Sequence, residues 1–507
     1  MSPPARLAAV VVLAAGIGSR MRSSTPKVLH QIGGRSLLGH VLAAAEPLQA
    51  EQRLVVVGAG REMVAKHLAT IAPDVGTVVQ AEQLGSGHAT RLALDHVPGS
   101  GPVLIVNGDA PLLTPETLVE LCAAHTSAQA VLTVLTARVE DAYGLGRILR
   151  DSSGALVGIV EHSDADPDQL DIDEINAGAY VADGPMLAAV LDRLRTTNAQ
   201  GELYLTDAVA MFASDGQTVV GQLAADPTDV VGCNDRIELA ARGRTLNDRV
   251  LRRHMAAGVT IVDPASTWID VDVQIGRDVR LLPGTQLHGS TSIAEGAVLG
   301  PDTTLTRCVV GEKASVVRTH GNDAEIGPGA SVGPFTYLRP GTRLGPATKV
   351  GAFVETKNVE VGEGSKIPHL SYVGDATIGE HSNIGAATVF VNYDGIAKHR
   401  TTIGSHARTG ADNMFVAPVS VGDGAYTAAG SVITEDVPPG AMAVSRARQR
   451  NIAGWVRLRR AGTPAAEAAR AATEGETEQV TEPTALETGP GGGTGADNVG
   501  PGGQEQS

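Results

Sequence analysis

Aromatic side chains are scarce. Two Trp, five Phe and seven Tyr in 507 residues leave a core that has to be built from Val, Leu, Ile and Ala. Cysteine is scarcer still. Cys122, Cys233 and Cys308 stand far apart, so a disulfide framework and a cysteine metal spacing are both excluded. The three read as small buried residues in a reducing cytosol. Residues 7–15 are apolar, but the run is too short to span a bilayer and Gly16 ends it. A basic n-region and a cleavage site are also missing. Positive charge is in deficit: the formal net charge of -16 argues against a nucleic-acid partner. These absences imply a soluble cytoplasmic protein with no membrane contact. The length implies more than one domain.

What is present is a beat of six. Ile269, Ile275, Leu281, Leu287, Ile293, Leu299 and Leu305 fall on it. After a slip it resumes at Ile326, Val332, Leu338, Leu344 and Val350. After a second slip it returns at Ile378, Ile384 and Phe390. Ile403, Phe415, Val421 and Ile433 follow, with Thr409 and Thr427 on the intervening beats. A period of six fits neither an α-helix nor a hairpin sheet. It fits a parallel β-helix, in which three hexads make one triangular coil and each beat residue stacks inward on its counterpart in the next. Gly often follows the beat, as in Ile275-Gly276 and Ile326-Gly327, where a tight corner needs it. Solenoids of this kind expose broad flat faces, so self-association is expected, as a trimer with sites between subunits.

Ahead of the beat the pattern is βα. A strand at 7–13 runs into Leu13-Ala14-Ala15-Gly16-Ile17-Gly18-Ser19-Arg20-Met21, and Lys27 follows. Strand, small glycine-rich turn and basic residues together suit a phosphate: backbone N–H groups approach its oxygens and the cations neutralise it. The loop is neither GxxxxGK[ST] nor GxGxxG, which weakens P-loop and dinucleotide readings. A further strand at 103–106 ends in Asn107-Gly108-Asp109. An acidic residue just past the carboxyl end of a buried strand lies where an open α/β sheet binds ligand, so Asp109 is a candidate ligand for Mg²⁺ on a triphosphate. Thr114-Pro115-Glu116 already supplies the start of the next helix, so Asp109 is free of that task.

These segments resemble the sugar-nucleotidyltransferases, up to about residue 235. The resemblance rests on LAAG…GSRM…PKVL, QAEQLGSGHA and NGDAPLL, then Gly144-Leu145-Gly146-Arg147, Glu161-His162, Asn176-Ala177-Gly178, Leu203-Tyr204-Leu205-Thr206-Asp207 and Gly232-Cys233-Asn234. It implies UTP and the UDP-sugar held by Leu13, Ala14, Ala15, Gly16, Lys27, Gln80, Gly85, Ser86, Asn107 and Asp109. It puts Gly146, Glu161 and Asn176 on the sugar, Asp109 with Asn234 on Mg²⁺, and Arg20 and Lys27 as catalytic cations. Asp235 to Ala257 reads as one connecting helix stopped by Gly258, with its arginines on a solvated face.

Breaks in the beat are expected to be insertions that loop out of one face. One holds Lys357, Lys366, His369, Ser371 and Tyr372; another holds Asn392-Tyr393-Asp394-Gly395 with Lys398, His399 and Arg400. Such a concentration of cations, His and Tyr suggests an anion-binding catalytic site. With Tyr337-Leu338-Arg339-Pro340-Gly341, His369-Leu370-Ser371-Tyr372 and Asn383-Ile384-Gly385-Ala386, the stretch 7–455 resembles a narrower family. That family is the bifunctional N-acetylglucosamine-1-phosphate uridylyltransferase and glucosamine-1-phosphate N-acetyltransferase of bacterial cell-wall precursor synthesis. The resemblance implies a left-handed β-helix and a homotrimer. It implies Arg339 and Lys357 on a sugar phosphate, Tyr372 and Asn383 on the sugar, and His369 as general base. Acetyl-CoA would contact Ala386, Asn392, Tyr393, Ala411, Ala429 and Arg446. Two departures stand out: Ala411 replaces a common Ser, and Ala387 replaces a usual Gly.

The implied organisation is a nucleotidyltransferase domain at 1–234, a linker helix at 235–258, the β-helix at 259–461 and an unfolded tail at 462–507. A cluster of arginines around Trp455 reads equally as a charge partner for CoA phosphates or as a solvated arm. A single-activity nucleotidyltransferase with a structural or regulatory ladder is the alternative; His369, Lys357, Arg339 and the Asn392-Tyr393 pair speak against it. A non-catalytic sensor is opposed by Arg20, Lys27, Asp109 and Asn234.

Overall fold

The computed structural model describes residues 6–99 and 101–478. One compact unit ends at Ser445 and a second begins at Arg446. In the first, nine strands form a mixed sheet: β1 (Ala9–Ala14), β2 (Gln52–Val57), β3 (Gly76–Val79), β4 (Pro102–Asn107), β5 (Leu132–Arg138), β6 (Arg147–Arg150), β7 (Leu156–Val160), β8 (Glu174–Asp183) and β9 (Val219–Leu223). Their order is β9-β5-β8-β4-β1-β2-β3, with the β6–β7 hairpin extending from β8. β1 runs parallel between β2 and β4, Val11 lying opposite Leu54 and Ile105. Its unbroken apolar run is what a strand covered on both faces requires. Val10 and Val12 pack into a cluster with Leu38 and Val41, whereas Val11 packs with Leu187 and Phe212 on the other side. The carboxyl ends of β1 and β4 therefore open side by side into one crevice.

The connecting helix spans Arg236–Ala256, and Asp235 caps it by accepting hydrogen bonds from the Ile237 and Glu238 N–H groups. Val250 and Leu251 enter the core of the β-helix. Asn247 donates to the Thr267 carbonyl and accepts from the Ile269 N–H, fixing the helix to the first coil. Of its six arginines only Arg252 is left to the solvated face; the other five reach backbone carbonyls. Arg236 donates to Met21 O, Arg242 to Gly232 O, Arg244 to Ala265 O, Arg249 to Leu112 O and Arg253 to Val271 O. The helix lies between two domains whose loops end in unpaired carbonyls, and guanidinium groups satisfy them.

Beyond it the hexads build a parallel β-helix of three walls. Along one wall Ile275, Ile293, Val310, Ile326, Leu344, Val361, Ile378, Ile403 and Val421 stack in register. Both slips of the beat are shortened coils. Val310, Val316 and Gly321 carry it past Leu305, and Thr356, Val361, Ile367 and Val373 carry it past Val350. Gly321 is required by closeness: a Cβ there would lie 2.8 Å from Leu305 Cδ2. The stretch from Lys357 to Tyr372 is thus no insertion, contrary to expectation. A corner loses a residue while the inward side chain keeps its place. The one true loop-out of the two expected is at Asn392, where Ile378 pairs with Ile403 and Tyr393 bridges back to Lys398.

A second inward position, two residues before each beat, is occupied by Thr, Ser, Ala or Val, except for Cys308 and Asn413. Thr285, Thr291 and Thr342 are fully buried there, and each hydroxyl donates to a corner carbonyl (Leu282, His288 and Arg339) at 2.7 Å. Buried hydroxyls are thereby satisfied in an aliphatic core. The last paired strand is Met442–Ala443, short of the expected end at 461, because no aliphatic beat continues into the arginine-rich segment. The second unit carries helices Trp455–Arg459 and Pro464–Glu478. The latter falls where an unfolded tail was expected. Its Ala/Glu run favours helix, and the Thr463 hydroxyl accepts from the Ala466 N–H at its start. The rest of that tail lies outside the described residues.

Candidate active sites

The crevice over β1 and β4 encloses about 450 Å³ and is lined by the turn after β1, Lys27, Gln80, Gly85, Ser86, Asn107 and Asp109. Leu13 to Gly18 pass along its floor, with Gly18 left-handed at φ +66° before the short turn Ser19–Met21. Lys27 forms an ion pair with Asp109, and its Nζ lies 3.2 Å from Asn234 Oδ1. Arg20 reaches the same Oδ1 at 3.0 Å. Asp109 is backed by Cys233, whose N–H donates to the Asp109 carbonyl at 2.9 Å. The structure thus brings Arg20, Lys27, Asp109 and Asn234 to one point from four parts of the chain. Among the described residues no group of three or more His, Cys, Asp or Glu could hold a metal. A cation here would have one carboxylate and one amide oxygen from the protein. The three cysteines are free and buried, and burial pushes the Cys122 thiol up to about 11.

Gln80 ends β3 and donates to the Gly85 carbonyl at 3.0 Å. Gly85 needs its lack of a side chain: φ is +105° and a Cβ would lie 2.6 Å from the Leu203 carbonyl. At the far side of the sheet, the Asn176 amide donates to Tyr180 Oη at 2.6 Å. Glu161 faces Gly146, where an added Cβ would lie 3.3 Å from Glu161 Oε2. Burial pushes the Glu161 carboxyl up, and a hydrogen bond from Thr206 opposes it. Gly146, Glu161, Asn176 and Thr206 form a polar, half-buried group.

On the prism, His369, Ala386, Ala411 and Ala429 occupy one corner on successive coils. The Ala387 N–H donates to His369 O, that of Asp412 to Ala386 O and that of Gly430 to Ala411 O. His369 is exposed there. Ala387 sits at φ +60°, a conformation better suited to the glycine it replaces. The neighbouring corner carries Arg339, Lys357, Gly374 and Asn392. Arg339 pairs with Glu355 at 2.8 Å. Asn392 is buried and donates to Asp375 Oδ2 at 2.5 Å and to Tyr372 Oη at 3.3 Å. Tyr393 is exposed, its hydroxyl donating to Gly395 O. Asn383 stands on a different wall from Tyr372, between Lys366 and Arg408. Arg446 belongs to the second unit and is exposed.

Other residues escaped the sequence-based selection. Gln83 donates to the Ala15 carbonyl at 2.9 Å and lines the crevice with Glu202. Lys398 lies against Lys357, whose ammonium pushes Lys398 below the ordinary lysine range. Asp375 takes hydrogen bonds from both Asn358 and Asn392. Lys398 stands among the cations of the second break, with no role assigned to it from the sequence; Gln83 falls inside the matched segment QAEQLGSGHA.

Residues 10–158 match the MobA-like NTP transferase domain. Among curated proteins, the Bifunctional protein GlmU of Streptomyces avermitilis is 59% identical over 93% of this chain and 99% of its own length. That of Streptomyces coelicolor is 58% identical over 92% of this chain and 97% of its own. That of Thermobifida fusca is 58% identical over 92% of this chain and 98% of its own.

Proposed function

Because this chain belongs to the bifunctional GlmU family, we propose a residue-level assignment for the two transfers it performs. It makes UDP-N-acetylglucosamine by acetyl transfer from acetyl-CoA to glucosamine 1-phosphate, then uridylyl transfer from UTP to N-acetylglucosamine 1-phosphate. The observation that carries the assignment is the convergence of Arg20, Lys27, Asp109 and Asn234 at the mouth of the sheet, with His369 and Lys357 on the prism.

In the crevice, Leu13 to Gly16 and Ser86 offer backbone and hydroxyl groups to the triphosphate, Gln80 and Gly85 read the base, and Asn107 lies beside Asp109. Asp109 Oδ2 and Asn234 Oδ1 already share one cation, the Lys27 ammonium. A pair of oxygens that close suits Mg²⁺, which keeps its remaining positions for phosphate oxygens and water. Bound there, the ion would offset the charge gathering around the α-phosphoryl group. A phosphate oxygen of the sugar 1-phosphate attacks the α-phosphorus, the bond to the bridging oxygen breaks and pyrophosphate leaves. Lys27 and Arg20 neutralise the phosphates, while Gly146, Glu161 and Asn176 orient the sugar. No side chain becomes covalently attached; the work is positioning and charge.

On the prism, Arg339 and Lys357, joined by Lys398, hold the phosphate of glucosamine 1-phosphate, and Tyr372 and Asn383 hold its ring. His369 accepts the proton of the amine as nitrogen attacks the thioester carbonyl; the carbon–sulfur bond then breaks and CoA leaves as its thiol, taking up that proton. The small corner residues Ala386, Ala411 and Ala429 leave a track for the pantetheine arm, with Asn392 and Tyr393 as further contacts. A homotrimer through the β-helix belongs to this reading. Its support is the apolar corner stripe of Phe335, Phe353 and Leu370, all more than half exposed. A cytoplasmic setting fits the three free thiols; among the described residues no helix is long and apolar enough to cross a membrane.

Two assays on one purified preparation test it: glucosamine 1-phosphate with acetyl-CoA, and N-acetylglucosamine 1-phosphate with UTP and Mg²⁺. Both are expected to turn over. UTP consumption without thioester cleavage would overturn the prism assignment.

A further inference from the structure

Thr206 stands at the N-cap position of the helix Asp207–Ser214 but makes no side-chain cap bond. No cap bond is needed: Thr206 is itself helical, and the Asp207, Ala208 and Val209 N–H groups already donate to the Tyr204, Leu205 and Thr206 carbonyls. Here the hydroxyl is turned away and donates to Glu161 Oε1 at 2.9 Å. Thr206 is 3% exposed, so bulk water hardly competes for that bond. One oxygen of the carboxylate is thereby occupied. The other, Oε2, faces Gly146, where a missing side chain leaves the approach open. An ionised carboxylate only accepts hydrogen bonds. With Oε1 taken, Oε2 is aimed at a hydroxyl coming from the Gly146 side.

We infer that Thr206 is a positioning residue for sugar recognition: its hydroxyl holds Glu161 with Oε2 directed at a hydroxyl of the sugar 1-phosphate. This rests on the reading that Glu161 contacts the sugar. The charged and titratable groups facing Glu161 are Asp164 and Asp207, which disfavour its charge, and the phenols of Tyr180 and Tyr204. Thr206 supplies the hydrogen bond that opposes burial and these carboxylates. Its loss therefore has a direction. Glu161 becomes harder to ionise, and binding that depends on the carboxylate fails at a higher pH.

The experiment compares T206V, T206S and E161Q in the full-length enzyme, with acetyl transfer as an internal control for folding. T206V is expected to raise KM for N-acetylglucosamine 1-phosphate about ten-fold, leave KM for UTP within about two-fold, and move the acid limb of kcat/KM upward in pH. T206S, which keeps the hydroxyl, is expected to restore both. If T206V loses acetyl transfer as well, T206A removes the hydroxyl without setting a methyl group against the carboxylate and is read the same way. A T206V or T206A enzyme with unchanged sugar KM and acid limb overturns the inference if E161Q raises that KM. If E161Q also leaves the sugar KM unchanged, the Glu161 assignment itself fails, and the inference with it.

Discussion

Asn392 donates a hydrogen bond to Asp375 at 2.5 Å from the root of the loop that leaves the prism between Val391 and Thr401. Asp375 is buried and accepts from Asn358 on its other oxygen. Burial works against its charge. The two amides and the ammonium groups of Lys357 and Lys398 outweigh that, and the carboxyl is held below its ordinary range. A carboxyl depressed on folding contributes stability above its unfolded value, near pH ~3.9, and that contribution is lost as pH falls through the folded value. Asp375→Asn sets an amide against two amide donors, so one of them loses its acceptor, at a cost of about 1–3 kcal/mol. Thermal melts are expected to show the variant destabilised at neutral pH, with the difference shrinking as pH is lowered. Acetyl transfer falls with it while uridylyl transfer holds. An unchanged melt at neutral pH would remove Asp375 as the anchor.

Asp109→Ala takes away the carboxylate that pairs with Lys27 where Lys27, Arg20 and Asn234 meet. Pyrophosphate release is expected to fall by about 10²–10³-fold, the scale for losing one preorganised electrostatic group. Asp109 lies in the sheet domain and not in the prism core, so acetyl transfer is the internal control. Retained pyrophosphate release would take Asp109 out of the metal site.

The prism was legible in the sequence because a solenoid repeats in one dimension and its inward residue recurs at a fixed interval. Its irregularities were not. Dropping one residue at a corner leaves the inward side chain in place, so Val310, Gly321 and Val361 broke the written beat without breaking the stack. Arg20, Lys27 and Asp109 were legible because phosphate chemistry draws on few residue types and each sits beside a strand end or glycine turn; Asn234 was pointed to only by the family resemblance. Thr206 was hidden by its own commonness: Thr before a helix reads as a cap, and only geometry reveals where its hydroxyl points. Five of the arginines of the connecting helix misled for a similar reason. A guanidinium that meets a loop carbonyl looks the same in one dimension as one that meets water.

His369→Ala is expected to lower acetyl transfer by about 10²–10⁴-fold, the usual reach of a general base. His369 is exposed, so its loss opens no cavity, and the melting temperature and uridylyl transfer are expected to stay as they were. Loss of both activities together would argue that the two sites are not independent.

Glu238 ties the nucleotide crevice to the connecting helix. Its Oε2 accepts from the Asn234 N–H at 2.7 Å, one turn along from Asp235, which caps the same helix. Asn234 in turn presents Oδ1 to Arg20 and Lys27. Glu238→Ala frees that N–H and lets Asn234 rotate, whereas Glu238→Gln keeps an acceptor oxygen. If Asn234 serves the metal, Glu238→Ala is expected to weaken Mn²⁺ binding in the presence of UTP about ten-fold. Glu238→Gln is expected to stay within about three-fold of the parent, since it forfeits only the charge assistance of the hydrogen bond. Electron paramagnetic resonance of free Mn²⁺ reads this without turnover or sugar phosphate. Superimposable isotherms for Glu238→Ala and the parent would mean that Asn234 holds its place without the helix.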